Sequence, residues 1–337
     1  MTVRVLVVDD SAFFREVLKA ELAGAPELVV VGEAGDGARA IAMARELRPD
    51  VITMDVLLPL LGGLDAIRAI MAERPIPIVV LSRLVGHDAR LALDAMAAGA
   101  VDLVEKPTSG FDAVGVRRLT DLLTTVAASR GGAAAPPSTP PARLALATPP
   151  RVVGVVASTG GPQLLRALVA ALPGRFPIPI AIVQHTSAGF VEPLVSWLAD
   201  ASALAVEVAV AGRRVRGGQV VVAPDDRHLA IDRDGIVRLS DEPPVRSHRP
   251  AGDVLLRSLA AGFGPAALAV ILSGMGADGA AGLAAVAAAG GVAVVQDPLD
   301  ATIGAMPRAA LALVPRATVT TAAGLPALVL AAARGPA

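Results

Sequence analysis

Cysteine is absent from the 337 residues. That excludes disulfides, thiolate metal sites and a cysteine nucleophile, and it suits a reducing cytoplasm. Neither sign of charge is in excess: 30 basic and 31 acidic residues leave a net charge of −1, so no basic surplus marks nucleic acid or an anionic membrane as partner. Hydrophobic residues reach 54%, yet Gly, Pro or charge interrupts every apolar run before the ~20 residues a bilayer span needs. The opening MTVRVLVVDD has no basic start or small-residue cleavage site, and its apolar run ends in Asp9 and Asp10. A cytoplasmic protein without membrane insertion is expected. The length accommodates two domains, each with its own core.

What is present is strand–helix alternation. Residues 3–8, 51–54, 76–81 and 101–105 are short apolar runs, with helical patterns at 11–23, 36–48, 63–74 and 87–98 between them. The order predicts a doubly wound parallel sheet, in which polar residues just past the strands' carboxyl ends converge on one crevice. The runs end in Asp9 and Asp10, in Asp55, in Ser82 and in Lys106. Asp10 and Asp55, helped by Asp9, suit an octahedral Mg²⁺. If the chemistry is phosphoryl transfer to a carboxylate, Asp55 can attack phosphorus while Mg²⁺ and Lys106 neutralise the transferring oxygens and Ser82 donates a hydrogen bond.

Residues 127–150 carry six prolines and neither strand nor long helical pattern, which reads as a tether. A coil of that length spans about 27 Å by the square-root rule.

After the tether, VVGVVASTGGPQLLRAL (152–168) places Ser158 where a buried strand turns sharply into a helix, with Pro162 suited to the helix start. The unpaired N–H groups of that helix favour negative charge nearby. A serine at such a corner serves as a nucleophile or as a helix cap, and a Gly-rich turn after a strand equally cradles a phosphate. IPIAIV (178–183) leads to Gln184 and His185, and AALAVILS (266–273) to GMGADG with Asp278. Serine, histidine and aspartate thus each follow a parallel-type strand, as acyl transfer needs: Ser158 as nucleophile, His185 as base, Asp278 orienting the imidazole. Of the other histidines, His87 opens a surface helix and His228 lies in a strand before the Asp234-Gly235 hairpin turn. His248 occupies a loop before a helix, either polar surface or the lining of a substrate surface. No HExxH or comparable metal-ligand spacing occurs.

Residues 1–125 resemble the receiver domain of two-component response regulators, on VLVVDDSAFFREVL, VITMDVLLP, LSR and GAVDLVEKP. The resemblance implies that Asp55 is the phosphoacceptor, fed by a histidine kinase. Asp9, Ser82 and Lys106 complete the receiver site, and Mg²⁺ is held by Asp10 and Asp55. Two positions depart from the family: Gly62-Gly63 stands where Asp-Gly is usual, and Leu103 replaces the usual aromatic switch residue.

Residues 151–315 resemble the catalytic domain of chemotaxis protein-glutamate methylesterases, the CheB family. The carrying segments are ASTGGP, IVQHTSAGF, VVVAPDDRHLAI, SHRPAGDVLLRSLA, VILSGMGADGAAGL and VVQDPLDATIGAMPRAAL. The resemblance implies a triad of Ser158, His185 and Asp278, with Met275 and Thr159 at the oxyanion hole. It also implies methyl-accepting chemoreceptors as substrates, deamidation of receptor glutamines and no cofactor for the esterase. The architecture, a phosphoacceptor domain tethered to a catalytic one, suggests as a second hypothesis that the unphosphorylated receiver blocks the triad. A dinucleotide-binding output module would need GxGxxG directly after the Ser158 strand and an acidic residue at the end of the next one, where ASTGG and Gln184-His185 stand instead; a DNA-binding regulator would need a basic recognition helix, and the second domain has only scattered arginines. The expected fold class is α/β, with two doubly wound, mainly parallel-sheet domains: receiver-like (1–126), then, beyond a linker (127–150), a Rossmann-like esterase domain (151–337) with a β-hairpin insertion.

Overall fold

VITM, VVGVVA and ALAVI are buried along their whole length, the signature of strands covered by helices on both faces of a parallel sheet. The protein is described here by a computed structural model, which covers residues 2–83, 87–107, 110–129 and 148–334. It divides into two compact units, residues 1–133 and 134–337.

In the first unit β1 (Val3–Val8), α1 (Ala12–Leu22), β2 (Leu28–Ala34), α2 (Gly37–Leu47), β3 (Val51–Met54), α3 (Gly63–Glu73), β4 (Ile78–Ser82), α4 (His87–Ala97), β5 (Asp102–Glu105) and α5 (Ala113–Ala128) alternate along the chain. The five strands form one sheet in the order β2-β1-β3-β4-β5, and every pairing is parallel. Helix starts are fixed locally: the side chains of Ser11, Asp36 and Asp112 accept from the N–H of Phe14, Arg39 and Gly115, satisfying first-turn donors that lack a helical partner. One core cluster lies between the sheet and α2, α3 and α4, around Leu6, Ile52, Met54, Ile67, Ile78 and Met96, while Val5, Val7, Leu18, Leu22, Leu119 and Leu123, from β1, α1 and α5, are buried as well. Two elements add to the expected set, the edge strand β2 and the helix α5. The latter runs through Ala128, into the stretch read as a tether, whose residues 130–147 lie outside the described ones.

The second unit comprises β6 (Val152–Ala157), α6 (Gly161–Ala171), β7 (Ile180–Gln184), α7 (Val191–Ala199), β8 (Ala205–Val208), β9 (Gln219–Val222), β10 (His228–Ile231), β11 (Val237–Ser240), α8 (Gly252–Phe263), β12 (Ala267–Ile271), α9 (Ala280–Ala288), β13 (Val292–Gln296), α10 (Ala305–Leu313), β14 (Thr318–Thr320) and α11 (Leu325–Ala333). Seven parallel strands run β14-β13-β12-β6-β7-β9-β8, and β10 and β11 form a separate antiparallel hairpin around Gly235, at φ 77°. From β6 the chain builds outward first through β7 and then, after the hairpin, on the other side through β12. The strand order therefore reverses between β6 and β12, the place where open α/β sheets bind their ligands. In the first unit the equivalent switch falls between β1 and β3. No helix among the described residues is long and apolar enough to cross a membrane.

Candidate functional sites at the two switch points

At the first switch point β1 delivers Asp9 and Asp10, and β3 delivers Asp55. One carboxylate oxygen from each lies within 4.8 Å of the others. Asp9 and Asp55 are buried while Asp10 is exposed. Asp9 is pinned by the N–H of Ser11 at 2.9 Å, and Asp55 by the N–H of Leu57 at 2.9 Å. Lys106 Nζ donates to Asp55 Oδ2 at 2.8 Å and pairs with Asp9 Oδ2, its ammonium 4.5 Å from the ring centre of Phe14. Burial pushes the Asp9 carboxyl up against the pull of Lys106, and the nearby Asp55 charge adds to the rise. Burial works against the Lys106 ammonium too, but its bonds to Asp55 and Asp9 prevail and raise its pKa.

Three hard oxygen donors facing a single ammonium fit a small divalent cation that keeps several waters and few carboxylates. Ser82 ends β4 beside this cluster, where its carbonyl accepts from the N–H of Lys106 at 2.9 Å; its hydroxyl turns to the Arg83 carbonyl at 3.5 Å. Gly63 packs so tightly that a Cβ there would stand 2.2 Å from the Asp55 carbonyl oxygen, whereas Gly62 faces open space. Leu103 is partly buried against the core.

At the second switch point Ser158 follows β6 and His185 follows β7. The ladder pairs Ala157 with Gln184, and the N–H of His185 donates to the Ala157 carbonyl at 3.0 Å. Ser158 and His185 thus leave the sheet at adjoining strand ends, each one residue past the last pair of the ladder. The turn after Ser158 requires glycine at 160, which has φ 76° and would bring a Cβ within 2.8 Å of Thr302. α6 then starts at Gly161 with Pro162 in its first turn.

Asp278, beyond β12, accepts from His185 Nε2 at 2.8 Å, from the N–H of Asp253 at 3.0 Å and from the N–H of Gly252. It is 1% exposed and sits at the N-terminus of α8, where free N–H groups and the helix dipole favour an anion. Burial raises its pKa, but the hydrogen bond from His185 and the two backbone donors outweigh that, and the carboxyl lies below its ordinary range. A carboxylate only accepts, so His185 carries its proton on Nε2. The lone pair is left on Nδ1, which is buried and makes no hydrogen bond. The structure brings His185 and Asp278 into direct contact; it shows no hydrogen bond from the Ser158 hydroxyl to the imidazole.

Several organising residues escaped sequence reasoning. Gln184 Nε2 donates to the carbonyls of Ser158 at 2.9 Å and of His185 at 2.8 Å, clasping the two corners together. Ser273, fully buried, accepts from Ser158 through its carbonyl, and its hydroxyl donates to the Thr159 carbonyl at 2.7 Å and accepts from the Ile303 N–H at 2.9 Å. Thr159 is thereby held against β12. Met275 follows Gly274, whose N–H and carbonyl bond Ile303 and Met306; a Cβ at Gly274 would stand 2.6 Å from that of Ser158.

His248 stacks on His185, with ring centres 4.0 Å apart and planes 9° from parallel. His228 is buried, taking the Ala251 N–H on Nδ1 at 3.2 Å and lying 3.2 Å from the Pro243 carbonyl through Nε2, a neutral tautomer bracing the approach to α8. His87 opens α4, as expected.

Residues 153–329 match the family model described as CheB methylesterase, and residues 5–113 that of the response regulator receiver domain. The chain is 44% identical to protein-glutamate methylesterase/protein-glutamine glutaminase 3 of Anaeromyxobacter dehalogenans, over 92% of this chain and 93% of the relative. It is 42% identical to the protein of the same name and number from Myxococcus xanthus, over 97% and 93%. The crystal structure of the Thermotoga maritima CheB methylesterase catalytic domain is similar, with TM-score 0.52 and 33% identity, over 54% of this chain and 98% of that one. With a response regulator receiver domain ahead of a methylesterase module, the chain belongs to the CheB methylesterase family.

Proposed function

We propose that this chain is a phosphorylation-activated protein-glutamate methylesterase and protein-glutamine deamidase acting in the cytoplasm on chemoreceptors, with residues 1–126 as receiver, 127–150 as linker and 151–337 as catalytic domain. The observation that carries the catalytic assignment is the His185–Asp278 contact at 2.8 Å, with Ser158 at the adjoining strand end. Ser158 Oγ attacks the ester carbonyl while His185 takes the hydroxyl proton at Nδ1, and Asp278 stabilises the imidazolium. The backbone N–H groups of Met275 and Thr159 hold the oxyanion, each worth about 10²–10³ in rate. Collapse expels methanol, which leaves with the proton from His185. Water, deprotonated by the same imidazole, then hydrolyses the glutamyl-serine ester to free glutamate and serine. With a glutamine side chain the leaving group is ammonia and the acyl-enzyme is the same. No cofactor is needed for these steps.

In the receiver, Asp55 accepts the phosphoryl group from a histidine kinase. Asp10 and Asp55, with Asp9, would hold Mg²⁺, which when bound supplies positive charge to the transferring oxygens. Lys106 adds a second cation at Asp55, and Ser82 offers a hydroxyl at the neighbouring strand end. Phosphorylation of Asp55 raises the rate of the esterase.

The test is methanol release from methylated receptor membranes by the intact chain, with and without a small phosphodonor and Mg²⁺. Release should rise with phosphodonor and vanish in Ser158→Ala. Serine-independent release would overturn the triad, and serine-dependent release indifferent to phosphodonor would overturn the regulation.

A further inference from the structure

A hydrogen bond from one edge of an imidazole leaves the ring free to rock about that bond. Asp278 grips His185 only at Nε2, and the other nitrogen has no partner. The face of the ring is covered instead by His248, 4.0 Å away and nearly parallel. We infer that His248 is a positioning residue which fixes the plane of the His185 imidazole, delivered by a strained turn built for that purpose; the inference rests on His185 acting as the base for Ser158.

The turn itself is the second observation. Val245 and His248 pair as an isolated antiparallel bridge, exchanging N–H···O bonds of 3.0 and 2.9 Å. The two residues between them, Arg246 and Ser247, have φ of 49° and 67°. Both central residues of a two-residue loop at positive φ is the geometry that Asn-Gly or Gly-Gly adopts readily. Here neither residue is glycine, so each carries a steric cost that the surroundings must hold in place.

Those surroundings are anchored on both sides. Arg246 Nε stands 3.6 Å from Oδ2 of Asp253, a buried carboxylate whose own N–H donates to Asp278. Arg249, just past the bridge, pairs with Asp226 at 2.7 Å and donates to the carbonyls of Asp241 and Glu242. The turn is therefore tied to the same helix start that holds Asp278, and His248 and Asp278 constrain one ring from its face and from its edge. A flat ring against the imidazole also presents a π face to the positive charge His185 gains during catalysis.

The experiment uses the full chain with His248→Ala and His248→Phe, and Ser158→Ala as control. Two rates are read: methanol release, and covalent labelling of Ser158 by a small fluorophosphonate that needs no receptor contact. His248→Ala should lower kcat and the labelling rate together by about tenfold, the size of a lost aromatic pair, with KM within about twofold. His248→Phe keeps a flat ring and should recover most of both rates. Arg246→Ala leaves the ring in place on a looser turn and should give a smaller loss of labelling, which keeps the test open if His248→Ala fails to fold.

A phenylalanine variant as slow as the alanine one would overturn the stacking role. So would a raised KM with unchanged labelling, which would make His248 a substrate contact. Methanol release that survives Ser158→Ala would instead defeat the underlying triad reading, a result separable from either.

Discussion

Asp278 and His185 stand 93 positions apart in the chain and meet at 2.8 Å, with the carboxylate seated on the first N–H groups of α8. Because the Asp278 carboxyl lies below its ordinary value of 3.8 in the folded chain, its stabilising contribution is complete above the unfolded pKa and is lost as pH falls through the folded one. Asp278→Asn should cost about 2 kcal/mol at pH 7 and about 10⁴ in kcat. Denaturant unfolding followed by Trp197 fluorescence reports the second unit alone, since this tryptophan is the chain's only one and is fully buried in α7. The stability gap between variant and parent should close as pH is lowered; a gap that stays constant would contradict the assignment.

Gln184→Met keeps the volume and removes both bonds that clasp Ser158 to His185. Leaving two carbonyls without their donor should cost roughly 2–3 kcal/mol. Turnover should drop further than stability explains, because the nucleophile and base corners drift independently. Equal kcat in a well-folded Gln184→Met would show that the clasp is dispensable.

Gly63→Ala places a Cβ 2.2 Å from the Asp55 carbonyl oxygen, so the phosphoacceptor loop must shift. Phosphorylation by a small phosphodonor should slow markedly. Gly62→Asp, by contrast, enters open space and should change stability by less than about 0.5 kcal/mol while restoring the Asp-Gly pair usual in receivers. The two adjacent variants form an internal control for phosphorylation measured by mass.

Mg²⁺ titration calorimetry on the intact chain should show one site that Asp10→Ala weakens by about tenfold or more, since a carboxylate is lost from a set of three. The exposed Asp10 side chain makes the substitution structurally mild. Unchanged affinity would remove Asp10 from the ligand set.

Much of this was legible in the sequence because parallel strands advertise themselves twice, by an unbroken apolar run and by the polar residue that ends it. Asp9, Asp55, Ser158 and His185 follow such runs, while Asp278 lies in a glycine-rich turn five residues past one and Lys106 follows the mixed run VDLVE. β2 opens with an apolar run, Leu28-Val29-Val30-Val31, as long as that of β3, but it ends in Ala34 and Gly35 and so carries only one of the two signals. α5 did carry a signal in the 119, 122, 123, 126 spacing of its buried apolar residues. Gln184, Ser273 and Asp253 could not be read forward: each acts through atoms on other strands or helices, and only the register reveals those partners. His248 sat in a loop with no periodicity, and its place on His185 depends on positive φ at two residues that usually avoid it.

The parallel ladder that places Ser158, His185 and Asp278 also sets when each site comes into being during synthesis. Lys106 completes the phosphoacceptor cluster early, whereas β12 and Asp278 emerge about 170 residues later, which at 5–20 residues per second is roughly 10–30 s. A nascent chain therefore carries a finished first-unit cluster well before β12 is inserted beside β6, and on the proposed mechanism it is no hydrolase until then.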